Sequence, residues 1–302
     1  MSAPVALIFW ITYGDRYDQS DDGVNGSVSP ASRRRRVVDL LSTREGPVSA
    51  DDLRSELGVS LVTVRRDLEA LEQAGLVIRT HGGALINSLR PERSILERQD
   101  TNALAKAEIA VAAARLVPPG ATVLLDAGTT TSRLAAELAG ITGLTIVTTG
   151  VNVLAVLAES DTDATVISAG GTLRKVNQAL LGPFAENVVR SIYADIAFIG
   201  SDCVDSSRGL SSRTSEQNAM KSLMILQARR PIIVADSSKL GANWSTHWFM
   251  PPPGVELLTD SGATEEMITP LVESGAWNIL LAEADASSGR AAISRSTSEG
   301  IA

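Results

Sequence analysis

Between Ser60 and Arg66 the chain sets hydroxyl, methyl and guanidinium groups at close spacing: Ser60, Val62, Thr63, Arg65 and Arg66. Guanidinium forks donate to guanine edges and phosphates, hydroxyls bond either, and small apolar groups meet the thymine methyl. This is chemistry for reading duplex DNA. At about 100° per residue, Val64, Leu68 and Leu71 fall on one inward stripe of a helix. Val62 and Arg66 then point away from that stripe, with Thr63 and Arg65 on its flanks.

A second set of polar groups stands at the ends of short β-branched runs. Thr122–Asp126 leads into Ala127-Gly128-Thr129-Thr130-Thr131-Ser132, and Leu144–Thr148 leads into Thr149-Gly150. Thr165–Ser168 precedes Gly170-Gly171-Thr172-Leu173-Arg174, Ile196–Gly200 precedes Ser201-Asp202-Cys203, and Pro231–Ala235 precedes Asp236-Ser237-Ser238-Lys239. Ligands of parallel sheets lie beyond the carboxyl ends of strands. Helix-start amides there favour anions. Hydroxyls, carboxylates and lysines converging at such ends suit a polar anion such as a phosphorylated sugar. Ordinary capped βα turns are the alternative for the same pattern.

The elements needed to position both sets can be read along the chain. Val37, Leu40 and Leu41 form the inward side of a first helix, and Ser49 caps a second with Leu53 and Leu57 inward. Gly58 suits the left-handed turn residue before Ser60, which caps the third helix. Leu76–Arg79 alternates as a strand does, and Gly82-Gly83 closes it into a wing that carries Arg79 and His81. His81 is expected to touch a phosphate or the minor groove there. From Ala103, helices alternate with buried strands, which predicts an α/β domain with a largely parallel sheet. Residues 31–86 then form a winged helix-turn-helix and 103–282 the α/β domain. Residues 87–102 form a charged linker broken by Pro91, while 1–30 and 283–302 are expected to be a disordered extension and tail.

Composition agrees with two domains and a reducing compartment. The 302 residues contain one cysteine, Cys203, so no intramolecular disulfide can form and the cytoplasm is the expected location. No apolar run reaches the ~20 residues of a membrane helix. The net charge of −8 argues against DNA until it is divided along the chain. Residues 31–85 carry nine arginines against eight acids and are the only net-positive part. Clustering matters more than the total because charges are screened within about 8–10 Å.

The run S-x-x-T-V-R-R-D-L (Ser60–Leu68) followed by R-x-H-G-G-A (Arg79–Ala84) resembles the N-terminal domain of DeoR-family bacterial transcriptional regulators. LLDAGTTT (Leu124–Thr131), GGTLR (Gly170–Arg174), DIAFIGSD (Asp195–Asp202) and ADSSKLG (Ala235–Gly241) resemble the same family's effector-sensing domain. That resemblance implies a fold similar to ribose-5-phosphate isomerase. It implies that Asp126, Gly128, Thr129, Thr130, Gly170, Gly171, Asp202, Lys221 and Lys239 surround a sugar phosphate or related metabolite. It also implies operator DNA as partner, a homodimer or homotetramer, and repression more often than activation. Two other readings stand beside it. One is a phosphosugar isomerase fused to the helix-turn-helix, with Asp202 as base and Lys221 or Lys239 stabilising the enediolate. The other is a regulator with a vestigial ligand pocket. Catalysis would leave the helix-turn-helix unexplained, and the two histidines, His81 and His247, offer no acid–base or metal cluster. No enzyme activity, cofactor or metal is expected.

Overall fold

The computed structural model describes residues 30–42, 47–73, 76–86, 92–241, 245, 247–285 and 290–296. The expected N-terminal extension, up to residue 29, lies outside them. The N-terminal part comprises α1 (Pro30–Ser42), β1 (Val48–Ser49), α2 (Ala50–Leu57), α3 (Leu61–Gln73), β2 (Val77–Thr80) and β3 (Gly83–Ile86). Ser49 caps α2 by accepting the Asp52 N–H, and Gly58 ends it in the left-handed region at φ 65°. The stripe Val64, Leu68 and Leu71 is buried against Val37, Leu41 and Leu53. Full burial stabilises each such side chain by about 1.5–3 kcal/mol. Asp67, on the same helix, is also buried, and Arg33 and Arg34 of α1 pair with it. A carboxylate in that position is tolerable only when paired.

The wing is an antiparallel β2–β3 hairpin turning at His81 and Gly82, and β1 adds to it as a third strand beside β3. Gly82 has φ 95°, which suits glycine. Gly83 is fixed for a different reason: a Cβ there would lie 2.0 Å from the Val48 carbonyl oxygen. Gly83→Ala is therefore expected to push β1 off β3 and to destabilise this domain by about 1–3 kcal/mol. An unchanged melting transition in calorimetry would show that the three-stranded wing is not as close-packed as described.

The remainder begins with α4 (Ile95–Gln99) and α5 (Ala103–Ala114), followed by β4 (Thr122–Leu125), α6 (Thr129–Leu138), β5 (Thr145–Thr148), α7 (Val151–Glu159) and β6 (Thr165–Ser168). A hairpin of β7 (Thr172–Arg174) and β8 (Ala179–Leu181) leads to α8 (Pro183–Arg190) and β9 (Ala194–Gly200). After β10 (Val204–Asp205) and β11 (Gly209–Ser212) come α9 (Ser215–Leu226), β12 (Ala228–Val234), β13 (His247–Phe249) and β14 (Val255–Thr259). The chain closes with α10 (Glu265–Glu273), β15 (Trp277–Asp285) and β16 (Arg290–Ser296). The large sheet has the order β16-β15-β14-β12-β9-β4-β5-β6, parallel throughout except for β16. Alternate strand residues feed two cores: Leu124, Ala197 and Ile199 pack towards α8, α9 and α10, and Val123, Leu125 and Phe198 towards α5, α6 and α7. Helices thus cover both faces, as apolar parallel strands require. The chain winds outward from β4 in one direction and from β9 in the other, so the switch point lies between these two strands. Among the described residues, no helix is long and apolar enough to cross a membrane.

Three expectations change. The run Ala127–Ser132 at the end of β4 is mostly helix, not loop: α6 starts at Thr129, with the extended Gly128 as its N-cap. The Thr131 hydroxyl consequently donates to the Gly128 carbonyl instead of facing outward. The linker is partly helical: Ser94 and Glu97 form a reciprocal capping box at the start of α4. The tail from Glu283 is not disordered throughout. Residues 283–285 extend β15, and β16 pairs with that strand antiparallel, while 297–302 lie outside the described residues. An Ala/Ser-rich composition hides strand character that the open edge of β15 supplies through its hydrogen-bonding groups.

Candidate functional sites

On α3 the Ser60 hydroxyl accepts the Thr63 N–H at 3.1 Å and lies 2.8 Å from the Thr63 hydroxyl. Val62 is 61% exposed, Arg66 is exposed on the face opposite the buried stripe, and Arg65 is exposed on its flank. Neither arginine has a carboxylate partner among the described residues, in contrast to Arg33 and Arg34, which are held by Asp67. The cations free for phosphate or base contact on the helices are therefore fewer than the arginine count suggests. Arg79 on β2 and His81 in the wing turn are both exposed. The result is a helix with an open polar face beside an exposed hairpin tip, a geometry that suits groove insertion with a backbone-contacting wing.

The second site is a cavity of about 210 Å³ at the β4–β9 switch point. Gly128, Thr129 and Thr130 form one wall, Ser201 and Asp202 follow β9, and Asp236, Ser238 and Lys239 follow β12. First-turn amides of a helix have no acceptor within it, so the start of α6 presents donors to this space. Lys221, from α9, donates to the Gly200 carbonyl at 2.6 Å and lies 3.3 Å from Asp126. Asp126 is buried and accepts the Ala127 and Gly200 N–H groups, so it braces the floor instead of lining the cavity.

Gly170 and Gly171 do not line the cavity. They take φ 67° and 101°, and a Cβ on Gly171 would lie 2.5 Å from the Leu181 carbonyl oxygen. These glycines let the β7–β8 hairpin fold back on α8, which is a backbone role. Conversely, the cavity includes residues that sequence reasoning missed: Arg98 and Asn102 from the linker, Lys106 from α5, Arg213 just before α9 and Gln217 in its first turn. One signal was available. Lys106 stands alone as a cation in an Ala-rich helix, four residues after Asn102, on a face that proves buried.

Electrostatically the cavity favours an anion. Burial, together with the neighbouring Lys239 cation, pushes the Lys106 ammonium down to about 8. Its Nζ donates to the Arg98 carbonyl at 2.6 Å. Burial alone would raise the Asp236 carboxyl, but Lys239 and hydrogen bonds from Ser238 and Asn102 hold it below its ordinary value. Lys239 lies 3.7 Å from Asp236. Six cations, Arg93, Arg98, Lys106, Arg213, Lys221 and Lys239, line the cavity with three carboxylates, Glu92, Asp202 and Asp236, and a fourth, Asp126, lies beneath it 3.3 Å from Lys221. A negatively charged ligand would relieve that excess.

Both halves match known family models: a DeoR-like helix-turn-helix domain over residues 33–90 and the DeoR C-terminal sensor domain over 101–250. A protein of Escherichia coli O157:H7 named for repression of the aga operon is 33% identical over 260 residues, covering 85% of this chain and 96% of that one. The lactose phosphotransferase system repressor of Lactococcus lactis subsp. lactis is 30% identical over 211 residues, covering 68% and 82%. Among solved structures, ribose 5-phosphate isomerase A of Methanocaldococcus jannaschii is similar over 46% of this chain and 55% of that one, with 18% identity and a TM-score of 0.34. With a third of its residues shared across nearly the whole of one regulator, and each half matched by its own domain model, the chain belongs to the DeoR family of transcriptional regulators.

Proposed function

We propose that this regulator represses carbohydrate-metabolism genes and is released from its operator by a phosphorylated sugar. The observation that carries the reading is the cation-rich cavity at the sheet's switch point, walled in part by the segment that leads to the winged helix. Its volume of about 210 Å³ is below the ~300–1,000 Å³ of sites for larger ligands, which favours a sugar phosphate over a dinucleotide. Names of relatives that refer to the aga operon and the lactose phosphotransferase system support a carbohydrate effector. Two copies, each inserting α3 into one half-site, would supply operator affinity that one module lacks. The isomerase alternative is disfavoured because it leaves the winged helix without a role and because Lys221 is committed to Asp126 and the Gly200 carbonyl.

The test is footprinting of the DNA upstream of its own gene, with hexose and pentose phosphates, their unphosphorylated sugars and inorganic phosphate added in turn. A protected site that is lost with one sugar phosphate, and retained with its parent sugar, is the expected result. A site protected under every condition, with no heat of binding for any phosphate, would leave a regulator with a vestigial pocket.

A further inference from the structure

The GGTLR motif, Gly170–Arg174, is not used by the cavity as a ligand wall, yet its arginine is tightly engaged. Both guanidinium nitrogens of Arg174 donate to the Glu92 carboxylate, a bidentate pair, and Arg174 also donates to Asn177 at 3.0 Å. Three residues further along the linker, the Ile95 N–H donates to the Val176 carbonyl at 2.8 Å, and the Ile95 side chain is buried. Residues 92–95 are therefore docked on the β7–β8 hairpin, whose fold depends on Gly171. The segment is the chain's only covalent route between the winged helix and the sensor.

Glu92 also faces the cavity, where Arg98 is shared between two acids. Its contacts are long: 3.5 Å to Asp202 and 3.8 Å to Glu92. Its Nε is buried with no hydrogen-bond partner. A guanidinium held this loosely would exchange both carboxylates for a bidentate phosphate, which offers shorter charge-assisted bonds. Arg174 and Arg98 thus stand at the two ends of one relay through Glu92, with only the Arg98 end open to ligand.

We infer that Glu92 and Arg174 are the positioning pair that couples the cavity to the DNA-binding half: an anion that takes Arg98 from Glu92 also sets its own negative charge beside that carboxylate, which is pushed from the cavity rim and off Arg174, so the linker loosens from the β7–β8 hairpin. This rests on the cavity being the effector site. A ligand switches a protein only through contacts that differ between its two states, and the relay supplies such a difference at the first residues of the linker. Arg174 itself touches no ligand.

Amide exchange of the peptide spanning 92–99 in the full chain, with inorganic phosphate as probe and its binding followed by calorimetry, tests the coupling. In the parent, saturating phosphate is expected to speed exchange at Ile95 by about tenfold, the loss of a charge-assisted anchor. In Arg174→Gln, exchange should already be fast without phosphate and should no longer respond to it, and phosphate should bind up to about tenfold tighter than to the parent, because binding no longer has to loosen the anchor. Glu92→Gln should likewise exchange fast at Ile95 without phosphate, which guards against one variant failing to fold; because Glu92 lines the cavity, only linker exchange is read in that variant. Phosphate that binds the parent and leaves linker exchange unchanged, or slows it, would overturn the coupling alone. Phosphate that does not bind the parent at all would overturn the cavity reading and the coupling with it. An Arg174→Gln linker as protected as the parent's would show that the pair anchors nothing.

Discussion

The Arg65→Ala/Arg66→Ala double variant keeps its fold and loses specific operator binding. Both side chains are exposed on α3, off the Val64, Leu68 and Leu71 stripe, so their removal opens no cavity and breaks no ion pair among the described residues. A bidentate arginine–base contact is worth about 1–3 kcal/mol, so losing two weakens binding by roughly 30- to 20,000-fold. Arg66, which points directly away from the stripe, should carry more of the loss than Arg65. Affinity for unrelated DNA should fall much less, because phosphate contacts elsewhere remain and sequence-independent binding depends on them. Fluorescence anisotropy on operator and scrambled duplexes at fixed salt separates the two terms. Operator affinity that is unchanged in the double variant would remove α3 from the role of recognition helix.

Thr129→Asp produces the second large effect: a repressor that stays on DNA and stops responding to its effector. Thr129 is the first residue of α6 and lines the cavity, so the new carboxylate enters the space assigned to the phosphate. An acidic residue in the first turn suits the helix dipole, so folding is retained. Two unit charges about 4 Å apart repel by about 4 kcal/mol at an effective dielectric of 20. The carboxylate would also offer Lys106 and Lys239 an internal partner in place of the ligand. Together these should raise the effector concentration needed for operator release by a hundredfold or more. Operator affinity without effector should match the parent, since α6 lies outside the winged helix. Release at the parent's concentration would place the phosphate elsewhere than the Gly128–Thr130 wall.

The winged helix was legible because each of its signals is local. Ser49 and Ser60 cap the helices they precede, Gly58 takes the left-handed turn, and the stripe Val64, Leu68 and Leu71 repeats at the helical period. Those preferences act within a few residues and need no distant partner. The same holds for each strand–loop–helix unit, which is why Thr129, Asp202 and Lys239 could be singled out one by one. Gly83 was placed in the wing from the Gly-Gly pair, but the reason that it cannot carry a Cβ is the Val48 carbonyl, more than thirty residues away.

Which strand ends meet is a different kind of fact. The β6 loop with Gly170 and Gly171 looks as suited to an anion as the β4 loop with Gly128 and Thr129. Strand order puts β4 against β9 at the switch point and β6 at the sheet edge, so one loop lines a cavity and the other shapes a hairpin. Nothing in the periodicity of a strand records which neighbour it will bond, because every strand offers the same backbone donors and acceptors. Lys106, Arg98 and Glu92 were overlooked for the same reason. Glu92 and Arg98 read as part of a solvated linker and Lys106 as a lone helix cation until the fold buries Lys106 beside Lys239 and lays Glu92 between Arg98 and Arg174. Local preference writes the elements and their loops into the chain, whereas the partners of a buried charge are settled by non-local contacts formed when the sheet closes.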